Sequence, residues 1–347
     1  MENASLKNRN LYWDNIKGIL ILLVVFAHFI YSFQDASPVI DRLVDYIYMF
    51  HMPAFVFVSG YFGKGDKAYS FERIIKLVFL YFIFNSLIGF YDGFVSLLYP
   101  MYSYWYLLGL IVWRLTAHHI AKFRFIIPIL FVTALAAGFY SDIDNTFAVC
   151  RIIGFYPFYM MGYKFSKEQS GRLQDIKYPK RVAIGLGVLL ATGLIAVLSR
   201  GFFAYSDLDL MMYPYQSFLA APGRAVLFVI AVLAILVLLL VSFEKNIPFF
   251  TDFGANSIWV YVLHRPIVLF MSRFLVSLSV TNLILVSLAL SFLICMILGS
   301  FSVRKYLDRF LDAGVEIFVS DKPVKVSFSL ILMIFVYLLY IVFIFVR

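Results

Sequence analysis

Long runs of apolar residues, separated by short polar segments, follow one another along almost the whole chain. A helix that crosses the hydrocarbon core of a bilayer needs about 20 mostly apolar residues. Eleven runs meet or approach that length, near residues 16–34, 43–62, 74–97, 104–117, 125–140, 150–165, 182–199, 223–243, 256–276, 280–300 and 326–346. This pattern predicts an all-α fold, a polytopic transmembrane helical bundle of about 10–11 spans.

No fixed-period repeat and no low-complexity tract is visible among these runs. We therefore interpret residues 1–347 as a single membrane-embedded domain, with the run near 326–346 as an additional C-terminal span. With eleven spans the two chain ends lie on opposite sides of the membrane, and with ten they lie on the same side. The length of the last run favours eleven.

Composition excludes two other classes of protein. Of the 347 residues, 63% are hydrophobic and 14% are charged, whereas soluble domains are about 45–50% apolar and about 25% charged. A water-soluble globule would therefore lack polar surface, and 39 Phe with 24 Tyr exclude a disordered chain. The two cysteines, Cys150 and Cys295, have no metal-binding spacing, and we expect no metal site.

The net charge of +9 would suit a nucleic-acid-binding protein, but the placement of the charges indicates another cause. If the N-terminus is cytoplasmic, 22 of the 29 Lys and Arg residues fall in cytoplasmic segments. This bias orients membrane proteins. We therefore expect a multi-pass protein of the cell membrane with a cytoplasmic N-terminus, in contact with membrane lipids and with no nucleic-acid partner.

Lys17 and His28 are ionisable residues of the first span, where such residues are costly and often functional. Their spacing of eleven leaves them within about 20° on one helical face and about 16 Å apart along the axis. That layout fits an extended substrate with phosphates at one end and a reactive group at the other. The alternative is a lysine that snorkels to the interface and a histidine that bonds between helices.

Two further spans carry histidine. His51 is near Pro53, whose missing N–H breaks the hydrogen-bond ladder of a helix. Such a break is tolerated beside a cavity, and a simple kink with a satisfied histidine is the alternative.

In the ninth span, His264 and Arg265 stand together without an adjacent acid. We expect Arg265 either to meet an anion or acid from elsewhere or to line water.

Basic residues also lie at the cytoplasmic start of the third span. Arg73 and Lys76 are three residues apart and so share a helical face. Together with Lys17 they could clamp anionic phosphates. The alternative is that they only orient the span.

The placement of acids separates an enzyme from a carrier. Ion-coupled carriers place Asp or Glu in mid-span, whereas the acids here cluster at span ends and in loops. The chain also lacks two halves with matching broken helices, which mark inverted-repeat carriers. The pattern favours an enzyme that uses histidine over an ion-coupled carrier.

In order and spacing, several segments together resemble the acyltransferase-three family of integral membrane acyltransferases, in particular its fucose 4-O-acetylase-like branch. The resemblance covers a core of about residues 10–300. Lysine stands at positions 17 and 76 where the family has arginine, which keeps the charge but loses the planar fork. The matching residues are Lys17 with His28, Phe50 to Pro53 with Ser59 and Gly60, Arg73 with Lys76, Trp105 to Leu107, Phe155 to Phe158 with Gly162 and Tyr163, and Asn256 and Ser257 with Tyr261 and His264.

The resemblance implies an O-acyltransferase, usually an O-acetyltransferase. It would move an acyl group from a cytoplasmic acyl-CoA, expected to be acetyl-CoA, to a hydroxyl of a surface or exported carbohydrate, free or lipid-linked. His28 would be the general base or a transient acyl carrier, and no metal is implied. The source is expected to be bacterial. The CoA phosphates would be held by Lys17, Arg73 and Lys76, and the acceptor cavity would be shaped by His51, Trp105, Arg151 and His264.

Two other functions remain open for a polytopic protein of this kind. One is an exporter or flippase of lipid-linked glycans. The other is a non-catalytic membrane scaffold in an envelope-assembly complex. Transfer of label from acetyl-CoA to a glycan distinguishes the enzyme from both.

Overall fold

The computed structural model describes residues 10–65, 68, 70–93, 98–140, 146–200, 214–215 and 220–319. This part of the chain forms fourteen α-helices, with short 3-10 turns and no β-strand. In chain order the helices are α1 Leu11–Tyr31, α2 Pro38–Tyr48, α3 His51–Phe62, α4 Phe71–Tyr91, α5 Trp105–Ile120, α6 Ile126–Ala137, α7 Val149–Lys164, α8 Lys167–Gln174, α9 Tyr178–Arg200, α10 Ala220–Val241, α11 Phe250–Ala255, α12 Ser257–Ser272, α13 Val280–Leu298 and α14 Phe301–Val319.

The first ten predicted spans each contain a helix, and the prediction of an all-α polytopic membrane bundle is confirmed. Among the described residues, six helical segments are long and apolar enough to cross a membrane. They are Leu11–Tyr31, Pro38–Phe62, Phe71–Tyr91, Tyr178–Ile195, Ala220–Val241 and Val280–Leu298, and the shorter α6 and α12 are also apolar. The predicted span near 326–346 lies outside the described residues and stays a prediction.

The second span is broken into two helices immediately before His51. The helix α2 ends at Tyr48 and α3 begins at His51. Pro53 lies in the first turn of α3, where an N–H has no helical partner to lose. Its ring would clash with the carbonyl four residues back, at Met49, so the break falls there rather than at the proline itself.

Pro266 lies inside the continuous helix α12 and leaves the carbonyl of Val262 without its helical donor. The hydroxyl of Tyr104 donates to that carbonyl at 2.9 Å. Tyr104 is completely buried. A side chain from a neighbouring element thus replaces the backbone hydrogen bond, as membrane interiors require.

We expect Tyr104→Phe to lower the free energy of unfolding by about 1–3 kcal/mol, because a buried carbonyl is left unpaired. Thermal unfolding of the detergent-solubilised protein measures the effect. Tyr140→Phe, at a tyrosine that is 60% exposed, is the matched control. Equal melting temperatures for the two variants would show that the Tyr104 hydroxyl does not stabilise the helix at Pro266.

Glycines allow two pairs of helices to approach closely. In the pairing of α3 with α7, a Cβ at Gly60 would collide with the carbonyl of Tyr159, and one at Gly162 with the carbonyl of Phe57. Gly18 of α1 and Gly254 of α11 have the same relation. Small residues at such contacts bring helix backbones together in membranes.

The start of α1 is hydrogen-bonded to the connection between α10 and α11. The side-chain amide of Asn15 donates to the carbonyls of Phe243 and Lys245, each at 2.9 Å. Thr251 in turn donates to the Asn15 side-chain oxygen at 2.7 Å. These contacts fix the depth and rotation of the helix that carries both Lys17 and His28.

The helix α14 is not among the predicted spans, because its polar residues interrupt the apolar pattern. Arg304, Asp308 and Asp312 recur every four residues and so share one face. Asp308 accepts a hydrogen bond from the indole N–H of Trp259 at 2.7 Å, and Asp312 pairs with Lys76 at 2.8 Å. This face of α14 therefore packs against α12 and α4.

Candidate functional site

A basic cavity of about 490 Å³ opens at the end of the bundle where α1 begins. Helices α1, α3, α4, α5, α12 and α14 contribute to its walls. Five basic side chains and one acidic side chain line it, namely Lys17, Arg73, Lys76, Arg114, Arg304 and Asp308. The three residues predicted to clamp phosphates thus line one cavity, although they come from two helices.

Most of these cations already have a carboxylate partner. Lys17 pairs with Asp14 at 2.8 Å and Arg304 with Asp308 at 3.0 Å. Lys76 pairs at 2.8 Å with two acids, Glu72 and Asp312. An anionic ligand must compete with these carboxylates for the two lysines.

Arg73 and Arg114 differ from the other three cations. Neither has a carboxylate within salt-bridge distance among the described residues. The Nε atom of Arg114 is buried and has no hydrogen-bond partner in the same part of the chain. These two guanidinium groups are therefore the most available donors to an anion in the cavity.

Arg114 and Arg304 belong to this site but were not predicted from the sequence to do so. Both were counted among the cytoplasmic charges that orient the spans. Arg114 could have been noticed because it follows Trp113 within an apolar helix, nearly two turns before its end. Nothing in the local pattern around Arg304 shows that α14 folds back onto the cavity.

Two tyrosine rings, Tyr106 and Tyr261, lie in the wall at the deep end of the cavity, with centroids 5.1 Å apart. The hydroxyl of Tyr106 is 2.5 Å from that of Ser59, and the hydroxyl of Tyr261 donates to the carbonyl of Ser103. His264 lies one helical turn beyond Tyr261, with 6.0 Å between the ring centroids. The cavity therefore leads towards the histidines.

His28, His51 and His264 form a histidine cluster, with His28 in the last turn of α1, away from the end where the basic cavity opens. The ring centroids of His28 and His264 are 5.0 Å apart. Tyr48 joins His51 to them, with its ring centroid 6.2 Å from His28 and 4.8 Å from His51. His51 and His264 are buried, and His28 is half-buried. The helices α1, α3 and α12 thus bring the three predicted histidines together.

Backbone contacts determine the tautomer of all three rings. The Nδ1 atom lies 2.7 Å from the Val24 carbonyl in His28, 2.8 Å from the Ile47 carbonyl in His51 and 2.6 Å from the Tyr261 carbonyl in His264. A carbonyl oxygen only accepts, so each Nδ1 carries the proton when the ring is neutral. Each Nε2 then holds a lone pair that can accept a proton or attack a carbonyl carbon.

Trp105 and Arg151 form a pair beside the histidine cluster rather than within it. Trp105 is buried against Phe155, with ring centroids 4.9 Å apart, and the Arg151 guanidinium lies 6.0 Å from the Trp105 ring. Arg151 also donates to the Tyr102 carbonyl at 3.5 Å. Tyr102 connects this pair to Arg265, whose guanidinium lies 4.1 Å from its ring centroid.

No group of three or more His, Cys, Asp or Glu is arranged for a metal ion in the part of the chain that the structure describes. The expectation of metal-independent chemistry stays a prediction. The described groups suited to chemistry are imidazoles with a free lone pair and guanidinium N–H donors. Such groups transfer protons and stabilise anions.

Comparison with known proteins agrees with the resemblance found in the sequence. A nodulation protein, NolL of Mesorhizobium japonicum, is 29% identical over 194 residues, which are 47% of this chain and 50% of that protein. NolL of Sinorhizobium fredii is 43% identical over 70 residues, 18% of each chain. The chain thus spans half or less of the length of these relatives. No solved structure matches it.

A family model described as an acyltransferase domain matches residues 10–304. The match runs from the start of α1 into α14 and includes every predicted site residue. It also agrees with the six helical segments of the described chain that are suited to cross a membrane. The protein is therefore a multi-pass membrane protein that belongs to the acyltransferase-domain family.

Proposed function

We propose that the protein is an integral membrane O-acyltransferase that moves an acyl group, expected to be acetyl, from cytoplasmic acyl-CoA to a hydroxyl of a surface or exported carbohydrate. One observation carries the proposal. The unbroken helix α1 places Lys17 on the wall of the basic cavity and His28 in the histidine cluster. Their separation of about 16 Å along the axis suits an extended donor whose phosphates and thioester lie far apart.

The basic cavity is the proposed binding site for the CoA phosphates. Clustered arginines and lysines bind phosphate by charge-assisted hydrogen bonds. The cavity lies at the end where α1 begins, which the charge bias of the loops assigns to the cytoplasm. The pantetheine arm would pass Tyr106 and Tyr261 and bring the thioester to His28.

His28 is the proposed catalytic residue, because its Nε2 lone pair lies in the cluster next to His264. As a general base it takes the proton of the acceptor hydroxyl while the oxygen attacks the thioester carbonyl. The C–S bond then breaks, and the leaving thiolate takes the proton back from His28. As an acyl carrier, His28 would instead attack the thioester through Nε2 and release the CoA thiolate. The acceptor hydroxyl would then attack the acyl group, which regenerates His28, and the hydroxyl proton would pass to the thiolate.

The acceptor is proposed to approach from the end of the bundle opposite the basic cavity. There His51 and His264 lie close to His28, and Trp105 with Arg151 lies beside them. Aromatic rings and guanidinium groups suit a polar ligand with apolar faces, such as a sugar. The family match favours this enzyme over an exporter, and no described feature favours the exporter.

We expect Arg73→Gln and Arg114→Gln each to weaken acetyl-CoA binding by about 10- to 100-fold, the loss of about 1.5–3 kcal/mol for a hydrogen bond to a charged group. Lys17→Gln should weaken it less, because Lys17 must leave Asp14 before it binds a phosphate. Titration calorimetry on the purified full chain measures the dissociation constants.

Arg124→Gln is the matched control, since Arg124 is exposed and does not line the cavity. Its dissociation constant should equal that of the wild type. If Lys17→Gln has the largest effect and Arg114→Gln has none, the assignment of the phosphate site to the two unpaired arginines is wrong.

A further inference from the structure

Arg265 is a buried cation surrounded by neutral groups. Only 4% of its surface is exposed. Its guanidinium lies against the Tyr102 ring and within electrostatic range of Tyr31, Tyr48 and Tyr104. The neighbouring His264 presents an unprotonated Nε2, which is also buried and has no partner among the described residues. None of these groups supplies a negative charge.

Two donors of Arg265 are unused. Its Nε and one Nη atom are buried and have no hydrogen-bond partner among the described residues. No salt bridge to Arg265 occurs in the same part of the chain. The side chain of Tyr102 interacts both with the guanidinium of Arg265 and with the carboxylate of Asp92. Burial raises the pKa of that phenol, so it stays neutral at pH 7.

An unpaired buried charge is strongly unfavourable, and the usual remedy is an opposite charge with hydrogen bonds. The unused Nε and Nη1 donors point to different sides of the planar guanidinium, and each can donate a charge-assisted hydrogen bond to an oxygen of a carboxylate or a phosphate. Tyr102 holds its backbone at φ 46°, an unusual conformation for a bulky residue, while its ring lies under the guanidinium. Strain of this kind is typical of functional sites.

The position of Arg265 indicates which substrate would bring the anion. It follows His264 directly in α12, and the His264 ring lies 5.0 Å from that of His28. The basic cavity, where the donor phosphates would bind, lies at the other end of α1. An anion at Arg265 therefore belongs to the acceptor, at or near the sugar whose hydroxyl reacts.

We propose that Arg265 is an anion-binding residue of the acceptor site and that the acceptor is an acidic saccharide, with a carboxylate or phosphate close to the hydroxyl that is acylated. This inference rests on the proposed function and narrows it from carbohydrates to anionic ones. The carboxylate of a uronic acid and the phosphate of a glycosyl phosphate share the chemistry that Arg265 recognises. Tyr31 and Tyr48, with ring centroids 5.6 Å apart and stacked, would border the sugar.

Binding of three probe sugars tests this inference. The purified full chain, saturated with CoA so that the basic cavity is filled, is titrated with methyl glucuronide, glucose 1-phosphate and neutral methyl glucoside, and thermal stabilisation is recorded. We expect at least one anionic sugar to bind about tenfold more tightly than methyl glucoside, the effect of one charge-assisted pair. The anion that binds more tightly identifies its source as a uronic acid or a glycosyl phosphate.

Arg265→Gln should abolish the preference for anionic sugars and leave acetyl-CoA binding unchanged. Arg273→Gln, at an exposed arginine eight residues further along, should keep the preference. If Arg265→Gln does not fold, Arg265→Lys should reduce the preference about threefold, because the charge remains but the directed donors of the planar guanidinium are lost.

Three results would overturn the inference. They are equal binding of all three sugars, a preference that persists unchanged in the Arg265 variants, and loss of acetyl-CoA binding in Arg265→Gln, which would assign Arg265 to the donor. A separate result, the absence of acetyl-CoA binding to the wild type, would contradict the proposed acyltransferase function itself rather than the acidic acceptor.

Discussion

Replacement of His28 by alanine should abolish acyl transfer while the protein still inserts in the membrane at normal abundance. The variant loses the one imidazole that shares a helix face with Lys17 and lies beside His264. General base catalysis alone contributes about 10²–10⁴-fold, and loss of an acyl carrier would remove the route entirely. Membranes that contain the variant are incubated with labelled acetyl-CoA, and label is counted in glycan and in protein.

His119→Ala is the matched control, because His119 is exposed near the end of α5 and lies outside the histidine cluster. It should transfer label at the wild-type rate. Label that accumulates on the wild-type protein without an acceptor, but not on His28→Ala, would identify His28 as an acyl carrier. Acyl transfer retained by His28→Ala would remove His28 from the mechanism.

Replacement of Gly162 by alanine should destabilise the bundle by about 1–3 kcal/mol or more, the typical cost of overpacking. The new methyl group would collide with the backbone carbonyl of Phe57 in α3, and backbone cannot move aside as a flexible side chain can. The helices α3 and α7 would have to separate, and α3 carries His51 at its start. Thermal unfolding in detergent measures the loss.

Gly193→Ala is the same chemical change in another helix, with nothing within 4 Å of the added Cβ. Alanine favours a helix over glycine by about 1 kcal/mol, so this control should match or exceed the stability of the wild type. Opposite signs for the two substitutions are the expected result. A Gly162→Ala protein as stable as Gly193→Ala would show that the close contact of α3 with α7 is not required.

The pattern of apolar residues predicted where helices occur in the chain but not where they end. Ten of the predicted apolar runs each contain a described helix, because a residue inside a membrane must satisfy its backbone groups within its own helix. The helix α4, in the third predicted span, ends at Tyr91 rather than near residue 97, and Gly93 follows with φ 72°. The helix α14 escaped the prediction because Arg304, Asp308 and Asp312, which contact α12 and α4, interrupt its apolar run.

The candidate site was predicted in parts. The spacing of Lys17 and His28 gave their common face, because helix geometry alone fixes the relation of residues within one helix. The neighbours of each residue on other helices were not accessible in this way. By its sequence position Arg114 is one of the cytoplasmic charges that orient the spans, yet its side chain lines the same cavity as Lys17, and its Nε is buried. Trp105 and Arg151 were expected at the acceptor cavity; the structure pairs them with each other, and their role stays a prediction.

The sequence by itself determined that this protein is an all-α membrane bundle, which residues are ionisable within its spans and which family it belongs to. These properties depend on composition, helical periodicity and the order of motifs along the chain. Only the tertiary structure decided which cations are already paired, and that Arg73, Arg114 and Arg265 have no carboxylate within salt-bridge distance among the described residues. The physical reason is that a charge is neutralised by whatever group packing brings within about 4 Å, and that group usually comes from a distant part of the chain.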